Sequence, residues 1–164
     1  MKKLICAVLL GLGVIVPVLA GGFVSANDLS AEKLVSNKDI DGFVFKATGE
    51  KGITIETIDE VREAEDGEIF NARVKLNGSG NTSYRSVQFS AKKGETLTVY
   101  LNSSSKSDAR VLIVAKADGT VVQSLTAPPD TGEAGIANCV LPDNGTYSIY
   151  SKSSGINLYQ IIVE

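Results

Sequence analysis

Phe70-Asn71-Ala72-Arg73-Val74-Lys75-Leu76 alternates apolar and polar side chains without a break. A β-strand points successive side chains to opposite faces, so this period of two reads as a strand with one buried and one wet face. Phe70, Ala72, Val74 and Leu76 form the expected core face, and Asn71, Arg73 and Lys75 line the other. Leu97, Val99 and Leu101 repeat the pattern, with Thr96, Thr98 and Tyr100 facing away.

From Phe43 onward the same period dominates. It predicts strands over 43–47, 52–57, 69–76, 85–90, 96–101, 110–115, 121–124, 137–141, 145–150 and 158–163. Turn residues separate them: Asn77-Gly78-Ser79-Gly80, Lys93-Gly94, Asp118-Gly119, Pro128-Pro129 and Asp143-Asn144-Gly145. Many short strands without a long helix predict an all-β fold, an antiparallel two-sheet β-sandwich of jelly-roll-like form.

The N-terminus reads as an export signal. Lys2 and Lys3 precede an apolar run from Leu4 to about Val24, and Val24-Ser25-Ala26 offers small residues for cleavage before Asn27. Pro17 and the glycines at 11, 13, 21 and 22 weaken a spanning helix, although the run approaches membrane-crossing length. The expected organisation is a signal peptide over 1–26, a flexible lead over 27–41 and one sandwich domain over 42–164. An uncleaved anchor, touching the membrane through residues 4–24, is the alternative. Cleavage removes Cys6 and leaves Cys139 alone, so no internal disulfide staples the domain.

The chain carries 16 Lys and Arg against 19 Asp and Glu, a formal net charge of −3. Losing Lys2 and Lys3 makes it more acidic still. This balance argues against nucleic acid as a partner. The acids concentrate at Glu50, Glu56, Asp59, Glu60, Glu63, Glu65, Asp66 and Glu68, and the part over 59–65 reads as a short helix or a solvated loop. Calcium is the one cofactor this run leaves open, but the spacing lacks an EF-hand's ligand order.

Several chemistries are excluded. There is no histidine, which removes the usual general base, zinc ligand and triad relay. Neither a Gly-x-Ser-x-Gly elbow nor a phosphate loop occurs, and Gly78-Ser79-Gly80 reads as a turn. The chain is read as a non-enzyme without catalytic or metal-ligating residues.

Binding is the remaining class. Val99-Tyr100-Leu101-Asn102-Ser103-Ser104-Ser105-Lys106-Ser107 is echoed by Ile149-Tyr150-Ser151-Lys152-Ser153-Ser154-Gly155. Each copy is a strand ending in tyrosine and opening into serines. Two such ends side by side would make a polar rim with aromatic rings.

The segment 70–164 resembles β-sandwich modules attached to secreted bacterial pectate lyases and related polysaccharide-degrading proteins. The matching blocks run from Phe70 through Gly80, Tyr84-Arg85-Ser86-Val87-Gln88-Phe89, Val99-Tyr100 with its serines, Ala109-Arg110-Val111-Leu112, and Gly145 through Tyr159. The resemblance implies a secreted, carbohydrate-binding or accessory role. The large catalytic domain that accompanies those modules has no counterpart in this chain. Sugar rings stack on aromatic faces, and the acidic sugars of pectin need cations, which arginine meets in a two-pronged fork. The candidate ligand-binding residues are therefore Arg73, Lys75, Tyr84, Arg85, Tyr100, Arg110, Tyr150 and Lys152. The expected partner is a polysaccharide, bound by a monomer outside the cell. Two other readings stay open: an envelope structural or protein-interaction sandwich, and a calcium-binding accessory sandwich of the kind trailing secreted proteases.

Overall fold

The computed structural model describes residues 21–164. The apolar run preceding Gly21, with Cys6, lies outside the described residues. In chain order the elements are β1 (Gly22–Ser25), a 3-10 turn (Ala26–Asp28), β2 (Glu32–Leu34), β3 (Lys38–Ile40), β4 (Phe43–Lys46), β5 (Ile53–Ala64), β6 (Ile69–Leu76) and β7 (Ser86–Ala91). Then follow β8 (Thr96–Ser103), β9 (Arg110–Lys116), β10 (Val121–Ala127), β11 (Glu133–Val140), β12 (Gly145–Ser151) and β13 (Ile156–Val163). Two sheets result, as the alternation requires. One has the order β1-β13-β6-β5-β11-β8, with β2 added on β5, and the other β10-β9-β12-β7-β4-β3.

The faces follow the sequence. Phe70, Ala72, Val74 and Leu76 are all buried, while Arg73 and Lys75 are half-buried on the opposite face. Between the sheets lies the main core, in which Phe43, Phe45, Phe89, Leu97, Leu112, Tyr147 and Ile149 interlock. Phe89 bridges Phe43 and Tyr147 with ring centroids 6.0 and 6.1 Å away. Cys139 faces this core from β11 as a free, buried thiol, and its desolvation raises its pKa.

The first sheet closes on itself. β8 pairs with β13 as well as with β11, so β13, β6, β5, β11 and β8 form a ring. Two irregularities bend the strands enough to close it, one in β5 between Thr57 and Arg62, the other in β13 between Leu158 and Gln160. The far arm of β5 then meets β11 in a short parallel pairing, Glu63 with Glu133 and Ala64 with Ala134. A second apolar cluster fills the ring: Ala64, Phe70, Tyr100, Ala134 and Tyr159. The Phe70 ring lies 5.3 Å from both tyrosine rings. Deeper in, Asn157 donates to Asn102 Oδ1 at 2.8 Å, and Asn102 donates to the Glu133 carbonyl at 3.1 Å.

Three expectations change. Residues 27–41 are not a loose lead. They form the 3-10 turn and two short strands, β2 held by β5 and β3 by β4. Strands of three residues are too short to display a period, and it is backbone pairing that holds them. Residues 22–25, placed in the signal, form an edge strand beside β13. The acidic stretch over 59–65 is largely the arm of β5, with its carboxylates in solvent, because backbone bonds to β6 and β11 hold it extended.

Replacing Phe70 by alanine empties the ring of its central aromatic. A loss of about 3–5 kcal/mol is expected, read as a lower urea midpoint with an unchanged slope.

Candidate functional site

The two serine runs do meet. Ser103 lies opposite Ile156 in the β8–β13 ladder, and Ser104 N and Oγ both donate to the Gly155 carbonyl, at 3.1 and 3.0 Å. Arg110, entering β9, reaches across this junction. Its Nη1 donates to Ser104 Oγ at 2.6 Å and to the Gly155 carbonyl. Gly155 is what lets it approach: a Cβ there would stand 2.6 Å from Ser104 Oγ and 3.4 Å from Arg110 Nη1. Asp108, close in sequence, is turned instead to the hydroxyls of Ser105 and Ser107 at 2.9 and 3.0 Å, which lower its pKa with help from the Arg110 charge.

Arg85 is seated in the same manner on the neighbouring loop. A Cβ on Gly78 would meet Arg85 Nη1 at 2.7 Å, and one on Gly80 would meet the Arg85 carbonyl at 2.4 Å. The Gly78-Ser79-Gly80 segment is therefore a cradle for an arginine as well as a turn. Arg85 itself is held at φ 48°, a left-handed conformation that costs a side-chain-bearing residue of order 1 kcal/mol. Its Nη2 donates to the Glu50 carbonyl at 3.4 Å, and its buried Nε has no hydrogen-bond partner among the described residues. The two arginines flank one turn. Gly78 N donates to the Leu76 carbonyl at 2.7 Å, and that carbonyl is 3.4 Å from the Cβ position of Gly155. Tyr84 precedes Arg85, with Lys51 Nζ 5.8 Å from its ring centroid.

The remaining candidates lie apart. Arg73 and Lys75 share Glu56 on the face of β6 opposite Phe70, at 2.6 and 3.7 Å, so a carboxylate already engages both and offsets part of their charge. Tyr100 is 6% exposed inside the ring and donates to Asp66 Oδ2 at 2.6 Å. That bond, more than burial, pushes its pKa up to about 12 and leaves its face no room for a sugar. Tyr150 stands half-buried on the outer face of the other sheet, between Ser86 and Ile113, so the two tyrosines do not meet. Lys152 is exposed on the β12–β13 turn, anchored by its backbone to the Val111 carbonyl. Sequence reasoning missed Gly78, Gly80 and Gly155 as seats for arginines. The spacing of glycines near each arginine block was the available signal.

A larger groove, about 790 Å³, opens between the β5 arm, Pro128-Pro129 and the start of β11, its loop joined to the first serine run by Ser103 N to the Pro128 carbonyl and Asp130 N to the Ser105 carbonyl. Glu63, Glu65 and Glu133 line it without a lysine or arginine. Its potential is negative, which disfavours an acidic ligand. Among the described residues no cluster of acids, cysteines or histidines is placed to hold a metal ion.

Arg62 and Asp130 tie the groove's loop to the β5 arm. They meet in a fork, Nε to Oδ1 at 2.7 Å and Nη2 to Oδ2 at 3.1 Å, with side chains only 13% and 10% exposed. Burial alone would raise the Asp130 pKa, but the hydrogen bond and charge of Arg62 outweigh it and hold the carboxyl below its ordinary value.

Comparison with known proteins gives structural likeness only. No family model matches the chain, and no curated protein matches it. Solved structures with a similar arrangement include a family 35 carbohydrate-binding module from Clostridium thermocellum, 14% identical, covering 88% of this chain and 97% of that one at a TM-score of 0.48. CsCBM6-3 from Clostridium stercorarium, in complex with cellobiose, is 9% identical over 87% and 92% of the two chains at 0.43. A family 6 module from Clostridium cellulolyticum, in complex with xylose, is 12% identical over 87% and 96% at 0.41.

A carboxyl with a lowered folded pKa stabilises the fold above its unfolded value of about 3.9 and stops doing so as pH falls through the folded value. Wild type should thus lose stability below about pH 4. Asp130→Asn should cost about 2 kcal/mol at pH 7 and melt with a flatter pH dependence. Melting temperatures across the acid range check both.

Proposed function

We propose that the chain is an exported, non-catalytic module that binds an acidic polysaccharide of the pectic kind at the rim holding Arg85 and Arg110. One observation carries this reading: of the four arginines, two are paired with carboxylates and the two at this rim are not. Lys38, Arg62, Arg73, Lys75 and Lys116 each stand within salt-bridge distance of a carboxylate. Arg85 and Arg110 have no such partner among the described residues; nor do Lys33, Lys46, Lys51, Lys92, Lys93, Lys106 and Lys152, but only the two arginines offer a forked donor. The rim arginines are held by carbonyls and a hydroxyl, which orient them without cancelling their charge.

A chain of uronic acid units presents a carboxylate on every ring. Two fixed guanidinium groups, with donors left over, suit such a repeat. Serine hydroxyls and exposed backbone beside them complement sugar hydroxyls, and Tyr84 offers the nearest aromatic face. The sequence resemblance to modules of pectate lyases points to the same ligand class. Arg73 and Lys75 take no part in this version of the site, being committed to Glu56.

Affinity electrophoresis in polygalacturonate is the test. Migration should be retarded, and less so as salt rises. Arg85→Ala and Arg110→Ala should each weaken binding ~10-fold or more, since a charge-assisted hydrogen bond contributes roughly 1.5–3 kcal/mol. Arg73→Ala should leave it unchanged. Unretarded migration, or equal loss with Arg73→Ala, would overturn the assignment.

A further inference from the structure

We propose that the exported form begins at Gly21, released by hydrolysis of the Ala20–Gly21 peptide bond, and not at Asn27. The sequence offers two sets of small residues for a membrane peptidase, Val18-Leu19-Ala20 and Val24-Ser25-Ala26. Pattern alone does not choose between them. The fold does, and the choice is independent of the glycan reading.

Residues 22–26 are built into the domain. β1 pairs with β13 over its whole length, Gly22 with Val163 through Ser25 with Gln160. Val24 and Ala26 are 6% and 2% exposed and belong to the main core. Gly22 lies against Phe43, close enough that a Cβ would meet its ring at 3.1 Å. The bond after Ala26 falls within an anchored turn: the Ala26 carbonyl accepts from Leu29 N at 3.2 Å. Asn27 Nδ2 donates to the Ile69 carbonyl, and Asn27 Oδ1 accepts from Asn71 N, both at 2.9 Å.

A signal peptidase acts on the extended chain before folding, so burial does not itself shield the later bond. The difference lies in the product. Cutting after Ala26 strips an edge strand, uncovers the backbone of β13 and leaves the space of Val24 empty in the core. Cutting after Ala20 removes the apolar leader and keeps every described contact of β1. In the reaction the C–N bond between Ala20 and Gly21 breaks. Water supplies the hydroxyl of the new Ala20 carboxylate and the hydrogen of the new Gly21 amine.

The full chain would be produced in a bacterial secretion host, and the exported protein analysed by intact mass and N-terminal sequencing. A Gly21 N-terminus is expected. An Asn27 N-terminus, or a retained leader, overturns the proposal. Chains started at Gly21 and at Asn27 would also be purified and melted. The shorter should fail to fold or melt roughly 10 °C lower, and equal melting temperatures overturn the proposal as well.

Discussion

β8 and β13 run antiparallel from Ser103 opposite Ile156 to Leu97 opposite Val163. This ladder does three things at once. It closes the first sheet into a ring, since each strand also pairs onward, β8 to β11 and β13 to β6. It buries Leu97, Val99, Leu101, Ile161 and Val163 against the second sheet. At its open end it sets the two serine runs side by side, and Arg110 can be seated only there. Core and rim therefore share one register, and a slip of one residue would turn every core side chain outward and separate the serines.

Charge is sorted over the surface as deliberately as apolar area is sorted inside. Negative groups gather along the β5 arm and the start of β11, where Glu63 and Glu133 stand opposite each other in a pairing that like charge weakens. The Arg62–Asp130 fork holds that region together. The two arginines without carboxylate partners, Arg85 and Arg110, sit beside the Leu76–Gly80 turn and the β12–β13 turn. The two regions adjoin, since the Pro128 carbonyl accepts from Ser103 N at 2.7 Å and Asp130 N donates to the Ser105 carbonyl at 2.8 Å.

Much of this was legible from single residues. The Phe70–Leu76 alternation marks a strand that is present, and of the repeated tyrosine-serine ends the serines lie together while the tyrosines stand in different sheets. Arg85 and Arg110 stood out as cations beside turns. Other features were hidden for identifiable reasons. Tyr100 faces away from the main core, which reads as exposure; the arm of β5, bent by an irregularity no period reveals, brings Ala64 over it beside Phe70, Ala134 and Tyr159. The short strands β1, β2 and β3 are held by pairing with distant partners, and local propensity says little about such pairing. Gly78 and Gly80 look like turn glycines until the arginine lying across them is seen.

The position of β13 has a consequence for how the molecule forms. It follows in the sequence every strand it joins, β1, β6 and β8, and its pairings reach back as far as Gly22. Until its residues are free to move, the ring stays open and its aromatic filling stays wet. Contacts this remote in sequence close slowly. Such a chain condenses only once β13 is available, so its topology makes folding of the ring wait for that strand.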